Sequence, residues 1–270
     1  FCNSNMYNIN VIDFFNFIYY HLFDNGNHYQ YIETEVRAIK NKIKVLSGAQ
    51  LKYIAFLSML IDHTNKALIY PNLNGGRLNT VSDIFDIIGR IAFPIFAFLL
   101  VEGFFKQEAE LNTLVTLLVF GVISEVPFVS FTTKQFFEPN WNNIMFTLAL
   151  VLVTIWMIDV LKRKWRSFLD IMVSIVICDP GGHVPIAAIL SLDYDYHAIL
   201  IDILLYFHGK ELIAIPFNFL SMYKEPWALL GFGLVLTYNG ERGKQNKLIN
   251  YLFYPVHLLI LGLLRIYLGI

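Results

Sequence analysis

From Leu51 onward the chain alternates apolar runs with short polar breaks. Four runs, near 50 to 70, 84 to 104, 111 to 131 and 144 to 161, approach the roughly 20 residues that a helix needs to cross a bilayer. An interrupted run follows at 168 to 192, then shorter runs at 196 to 208, 211 to 222 and 226 to 238, and a last long one at 248 to 268. The pattern predicts an all-α, polytopic transmembrane helical bundle of about nine spans, with the shorter runs as half-helices or tilted pairs. Within 168 to 192, the stretch CDPGGHVP at 178 to 185 carries two prolines, two glycines, Asp179 and His183. A broken helix survives in a membrane only where it is buried in protein or lines a wet cavity. An ordinary loop between two short spans is the other reading of that stretch.

Composition agrees with the pattern. Of 270 residues, 56% are hydrophobic and 15% charged, against about 25% charged in soluble domains. Tyr and Trp often fall near the ends of the runs, where amphipathic rings suit the headgroup region. The net charge of -1 lacks the clustered excess of Lys and Arg that phosphate backbones demand, which sets nucleic acid aside as a partner. Cys2 and Cys178 lie far apart and match no metal-ligand spacing, and no metal is predicted.

The basic residues orient the bundle. With nine spans the loops fall into two alternating sets, one holding 14 Lys and Arg and the other five, with Arg90 inside a span. The positive-inside rule then predicts a cytoplasmic amino-terminal side. The chain opens on Phe1, not an initiator residue, so residues 1 to 47 are read as an extension, interfacial or spurious, ahead of a transmembrane domain over 48 to 270. Within that extension, the apolar stretch from Val11 to Phe23 is too short to span and reads as an interfacial helix.

An ionisable side chain near the bilayer centre costs several kcal/mol, so each one needs a partner or a purpose. Asp62 and His63 sit in the outer half of the first span. Lys66, four residues on, offers Asp62 a local ion pair, whereas His63 has no comparable local partner and carries the side chain best suited to taking a proton near neutral pH. Arg90 has Asp86 at i-4, and Glu102 has Lys106 at i+4. Glu125 has no basic residue at helical spacing, so a neighbouring helix must supply its partner, and Arg90 lies at similar depth. Asn142 and Asn143 open the fourth span, and His257 lies about midway in the last. Asp62, His63, Arg90, Glu125, Asn143 and His257 thus gather in the outer half of the membrane. On the cytoplasmic side, Arg163, Lys164, Arg242 and Lys244 would suit a phosphorylated donor, although topology alone also puts basic residues there.

Seven stretches, in order along 48 to 268, resemble the TraX family of membrane proteins, named for the conjugative-pilin N-acetylase. They are LKYIAFLSMLIDH at 51 to 63, GRIAFPIFAFLLVEGF at 89 to 104, SEVPF at 124 to 128, NNIMFTL at 142 to 148, LDYDY at 192 to 196, YNGERG at 238 to 243 and YPVHLLIL at 254 to 261. The resemblance implies a multi-pass protein of the bacterial cytoplasmic membrane that moves an acetyl group from acetyl-CoA to an envelope acceptor, a protein amino terminus such as pilin or a glycan. In that scheme His63 is the general base, oriented by Asp62 or Glu125, with an acetyl-histidine as the covalent variant. Arg90 and Asn143 stabilise the oxyanion, and Arg242 and Lys244 hold the CoA phosphates. A proton-coupled transporter or flippase would use the same buried Asp, His, Arg and Glu with a broken helix, but it should show internal repeats, and none is visible between the halves. A non-catalytic scaffold would leave the cost of burying the cluster unexplained.

Overall fold

A computed structural model describes residues 42–73, 75–106, 110–133, 143–164 and 226–269. They form seven α-helices: α1 (Gly48–Thr64), α2 (Arg77–Gly89), α3 (Ala92–Phe105), α4 (Glu110–Thr133), α5 (Ile144–Lys164), α6 (Ala228–Val235) and α7 (Lys247–Leu268). No strand occurs among the described residues, only a single bridge between Leu46 and Tyr238. The expected runs at 196 to 208 and 211 to 222 lie outside them, as do Asp179 and His183 of the interrupted run.

Among the described residues, three stretches are long and apolar enough to cross a membrane: Arg77–Phe105, Leu111–Thr132 and Lys247–Leu268, with Ile144–Val160 a shorter apolar helix. Their outward faces are apolar, with Leu111, Val115, Val122 and Val126 exposed on α4 and Leu252, Ile260 and Leu263 on α7. Asn143, Ser124, Thr147 and His257 are buried instead. Apolar surface outside and polar side chains within is the arrangement a lipid solvent favours.

Several local features follow from single residues. Helix α1 starts at a capping box in which Ser47 and Gln50 bond reciprocally, satisfying two otherwise orphaned N–H groups. It continues through a π-turn at Asn65–Ile69 and a 3-10 turn at Tyr70–Asn72. The run at 84 to 104, expected as one span, breaks at Arg90 and Ile91 into α2 and α3. Pro94 explains the break, since its ring clashes with the carbonyl four residues back, that of Arg90. The run at 226 to 238 holds only the eight-residue helix α6.

Helix pairings fix the relative directions. Ser58 Oγ donates to the Ile88 and Gly89 carbonyls, and Asn65 Nδ2 donates to the Ser82 carbonyl, so α1 and α2 are antiparallel. Phe120 stacks on Tyr251 and the Phe131 backbone lies against Gly262; both indices rise together, so α4 and α7 run parallel. Asn143 bonds Gly121 and Glu125 while Phe146 covers Gly121, which makes α5 antiparallel to α4 and starts it partway along that helix.

One end of the bundle is basic. The first N–H groups of α1, at Gly48 and Ala49, donate to the carbonyls of Glu241 and Arg242. Gly243 closes this loop at φ +73, and a Cβ there would meet Ser47 Oγ at 2.7 Å, so both the backbone conformation and the space require glycine. Lys106 Nζ donates to Tyr238 Oη at 2.8 Å and to the Gly240 carbonyl at 2.6 Å. The starts of α1 and α7 and the end of α3 therefore meet at one face, bringing Lys52, Lys106, Arg242 and Lys247 together around a cavity.

Candidate functional site

The cavity has a volume of about 480 Å³. Its mouth is polar, with Lys52, Glu102, Lys106, Arg242, Gln245 and Lys247, and its throat is lined by Phe56, Met59, Phe96, Leu117, Leu148 and Tyr254. Lys52 Nζ and Asn250 Nδ2 both donate to Gln245 Oε1, at 2.9 and 2.7 Å. That leaves Asn250 Oδ1 enclosed without a partner among the described residues. The Glu102–Lys106 pair expected at the cytoplasmic end of α3 is present at 3.3 Å and forms part of the rim.

Two stripes of residues lead from this mouth into the bundle. On α1 the lining residues Lys52, Phe56 and Met59 are spaced so that the next position on the same face is His63. On α7 the lining residues Lys247, Asn250 and Tyr254 lead in the same way to His257. The two histidines meet: Nδ1 of His63 lies 2.7 Å from Nε2 of His257, and Nδ1 of His257 lies 2.7 Å from the Phe253 carbonyl oxygen. The two rings lie edge to edge and nearly coplanar, with centroids 5.0 Å apart and planes 11° from parallel, and Phe253 stacks on both His257 and Phe56. From Gly48 at the mouth to Met59 is about 16 Å along the helix axis, and His63 stands one turn, about 6 Å, farther on.

The other expected site residues divide among three places. Asp62 accepts from Lys66 Nζ at 2.7 Å, the local pair its spacing allowed, and stands 3.9 Å from His63 Nε2. Its second oxygen, Oδ1, is buried without a hydrogen-bond partner among the described residues, pressed against Gly89. Arg90, at the α2–α3 break, pairs with Asp86 at 3.3 Å. Glu125 finds its partner on a neighbouring helix, as expected, but the partner is Asn143 at 2.7 Å. An amide serves because it answers the carboxylate without a second buried charge. The second hydrogen of the Asn143 amide goes to the Gly121 carbonyl at 2.9 Å, and its Oδ1 accepts from Met145 N–H at 3.1 Å. Both hydrogens are thus committed, and Asn143 can face an oxyanion only by giving one up.

Of the expected phosphate-binding residues, Arg242 lines the mouth and Lys244 belongs to the same loop, while Arg163 and Lys164 close α5. The sequence marks Lys106 only as the partner of Glu102 and does not mark Lys52, Lys247 or Gln245. The signal that could have found them is the helical spacing of Lys52 and Lys247 with the two histidines. Nothing in the sequence marks Phe253, whose contribution is a backbone carbonyl.

Comparison with known proteins supplies the family. The family model described as TraX protein matches residues 47–265. The chain is also similar to a protein of Dichelobacter nodosus named "Probable fimbrial assembly protein FimC, serogroup H1", with 29% identity over 242 residues, covering 80% of this chain and 94% of that one. No solved structure matches. The matched span takes in α1 to α6, all but the last three residues of α7 and both histidines, and the chain belongs to the TraX family.

Proposed function

We propose that this protein is a multi-pass membrane acyltransferase that moves an acetyl group from acetyl-CoA to an amine or hydroxyl of an envelope acceptor, with His63 as general base. The relative's name, a fimbrial assembly protein, favours a pilin amino terminus as that acceptor. The observation that carries the reading is the alignment of a basic mouth, an apolar throat and, one helical turn farther, a histidine pair. Arg242, Lys52 and Lys247 would bind the CoA phosphates as charge-assisted contacts. The throat has a length of the order of an extended pantetheine arm, and it would deliver the thioester towards His63. The basic end is then the cytoplasmic one, in keeping with the 14 to five distribution of basic residues and a bundle of about nine spans.

In the reaction, the acceptor nitrogen or oxygen bonds to the thioester carbonyl carbon as its proton passes to His63. The imidazolium so formed lies 3.9 Å from the Asp62 carboxylate, which offsets its charge. Collapse of the tetrahedral adduct breaks the C–S bond, and the proton returns from His63 to the leaving thiolate. Arg90, which follows the Gly89 that packs against Asp62, would leave its Asp86 pair to stabilise the developing oxyanion.

The test is acetyl transfer by purified full-length protein in proteoliposomes supplied with labelled acetyl-CoA and an amino-terminal pilin peptide. His63→Ala should lower transfer by a hundredfold or more, on the scale of a lost general base, with the unfolding midpoint unchanged within a few degrees. Full transfer by a folded His63→Ala protein would refute the assignment.

A further inference from the structure

The two contacts of His257 determine where the hydrogens of both imidazoles lie. A carbonyl oxygen only accepts, so the 2.7 Å contact between His257 Nδ1 and the Phe253 oxygen requires the hydrogen on Nδ1. A neutral imidazole carries one ring hydrogen, which leaves His257 Nε2 as a lone pair. The 2.7 Å contact from His63 Nδ1 to that nitrogen then requires the hydrogen of His63 on Nδ1. An imidazolium at His257 would also satisfy both contacts, but it would place a full charge on a residue 6% exposed between the Phe253 and Tyr254 rings, where charge is costly.

We infer that His257 is a positioning residue which, with the Phe253 carbonyl behind it, locks His63 in its Nδ1–H tautomer and so makes Nε2 the atom that takes the proton. This rests on His63 being the general base. A second contact agrees with it. Among the described residues the carboxylate beside His63 is that of Asp62, whose Oδ2 stands 3.9 Å from Nε2 and is engaged by Lys66 at 2.7 Å. A hydrogen on Nε2 would draw that oxygen into hydrogen-bonding range, whereas a lone pair keeps it out. The remaining ring against His63 is Phe131, with centroids 5.1 Å apart, and it offers no hydrogen to either nitrogen.

The consequence for the transfer step is directional. The acceptor's N–H or O–H bond breaks towards Nε2 while Nδ1 keeps its hydrogen on His257, so no proton crosses to the second ring. The tautomer selected is the rarer one in free imidazole side chains, and the hydrogen bond made at the far nitrogen is what selects it. The arrangement does for a membrane base what a carboxylate or carbonyl does for a metal-bound histidine, without adding a charge.

The test reads the ring nitrogens directly. Full-length protein with ring-15N histidine, in nanodiscs at neutral pH, should give two histidines protonated at Nδ1 and bare at Nε2, one of which His63→Gln removes. In His257→Phe the hydrogen of His63 should move to Nε2, and transfer should fall on the order of a hundredfold. In His257→Gln a side-chain oxygen can accept from His63, so Nδ1–H should persist, and more transfer should survive than in His257→Phe. Nε2–H at His63 in the unaltered protein, a doubly protonated His257, or an unchanged tautomer in His257→Phe would overturn the inference. The first two are read in the unaltered protein, with His63→Gln and His257→Gln serving to assign the signals. The expected tautomers in a protein that transfers no acyl group would uphold the lock and sink the acyltransferase reading, so the two failures are separable.

Discussion

Asn143 is fully buried, joins α4 to the start of α5 through two hydrogen bonds and caps α5 with a third, so its truncation offers a sharp test of how this bundle is held. In Asn143→Ala the bond to the Gly121 carbonyl is a neutral interhelical contact, worth roughly 0.6 kcal/mol in a membrane. The bond to Glu125 is charge-assisted and worth about 1.5 kcal/mol at the low end of its range. The contact from Met145 N–H to Oδ1 closes the first turn of α5 as a helix cap does, for about 1 kcal/mol. Together they predict a loss of about 3 kcal/mol. Asn143→Asp keeps the cap but turns an acceptor towards both Glu125 and the Gly121 carbonyl, so it should cost at least as much at neutral pH and recover on acidification. Reversible unfolding of the full chain from mixed micelles by SDS measures both. A double-mutant cycle with Glu125→Ala isolates the charge-assisted contact, with an expected coupling of about 1 to 2 kcal/mol. An Asn143→Ala protein within 0.5 kcal/mol of the unaltered one, or a cycle with no coupling, would refute the reasoning.

Gly89→Ala should destabilise the protein by about 1 to 3 kcal/mol, because the added Cβ would stand 2.5 Å from Asp62 Oδ1; SDS unfolding checks it, and a neutral result would mean that α1 and α2 separate freely. The Tyr238 hydroxyl raises the Lys106 pKa above the ordinary lysine value. A group raised in the folded state stabilises below its unfolded pKa and loses that contribution as pH rises through the folded one. Thermal midpoints should therefore fall at strongly alkaline pH, and fall less steeply in Lys106→Met; identical slopes would exclude the pair. Arg242→Ala should raise the KM for acetyl-CoA about tenfold and leave kcat near its starting value, as expected for one lost charge-assisted phosphate contact. A fall in kcat at constant KM would remove Arg242 from donor binding.

What the sequence made legible was local. The pairs Asp62–Lys66, Arg90–Asp86 and Glu102–Lys106 are all present, because i,i+4 spacing on a helix decides proximity by itself. The runs at 111 to 131 and 248 to 268 became α4 and α7 nearly to the residue, since length and apolarity suffice for a span. The α2–α3 break is encoded in Pro94, which an apolar pattern passes over because proline does not interrupt the run of hydrophobic residues. Glu125 shows where such reading stops. Its lack of an in-helix partner correctly sent it to a neighbouring helix, but depth alone could not separate Arg90 from Asn143. That choice depends on α5 beginning partway along α4, which an apolar pattern does not encode.

The histidine pair marks the same limit from the other side. His63 and His257 lie 194 positions apart, and neither run of sequence around them names the other. What does point from one to the other is a property of two helices at once. Lys52, Phe56, Met59 and His63 form one face of α1, and Lys247, Asn250, Tyr254 and His257 one face of α7, each basic at its start and ending in an imidazole. Two faces with the same order of chemistry, on helices that both begin at the basic end, can share a cavity only if their histidines stand at the same depth. The outward residues between them, such as Leu57 on α1 and Val256 on α7, are exposed and apolar. A lipid solvent offers the two imidazoles no partner on those outward faces, so they are satisfied on the face the two helices share.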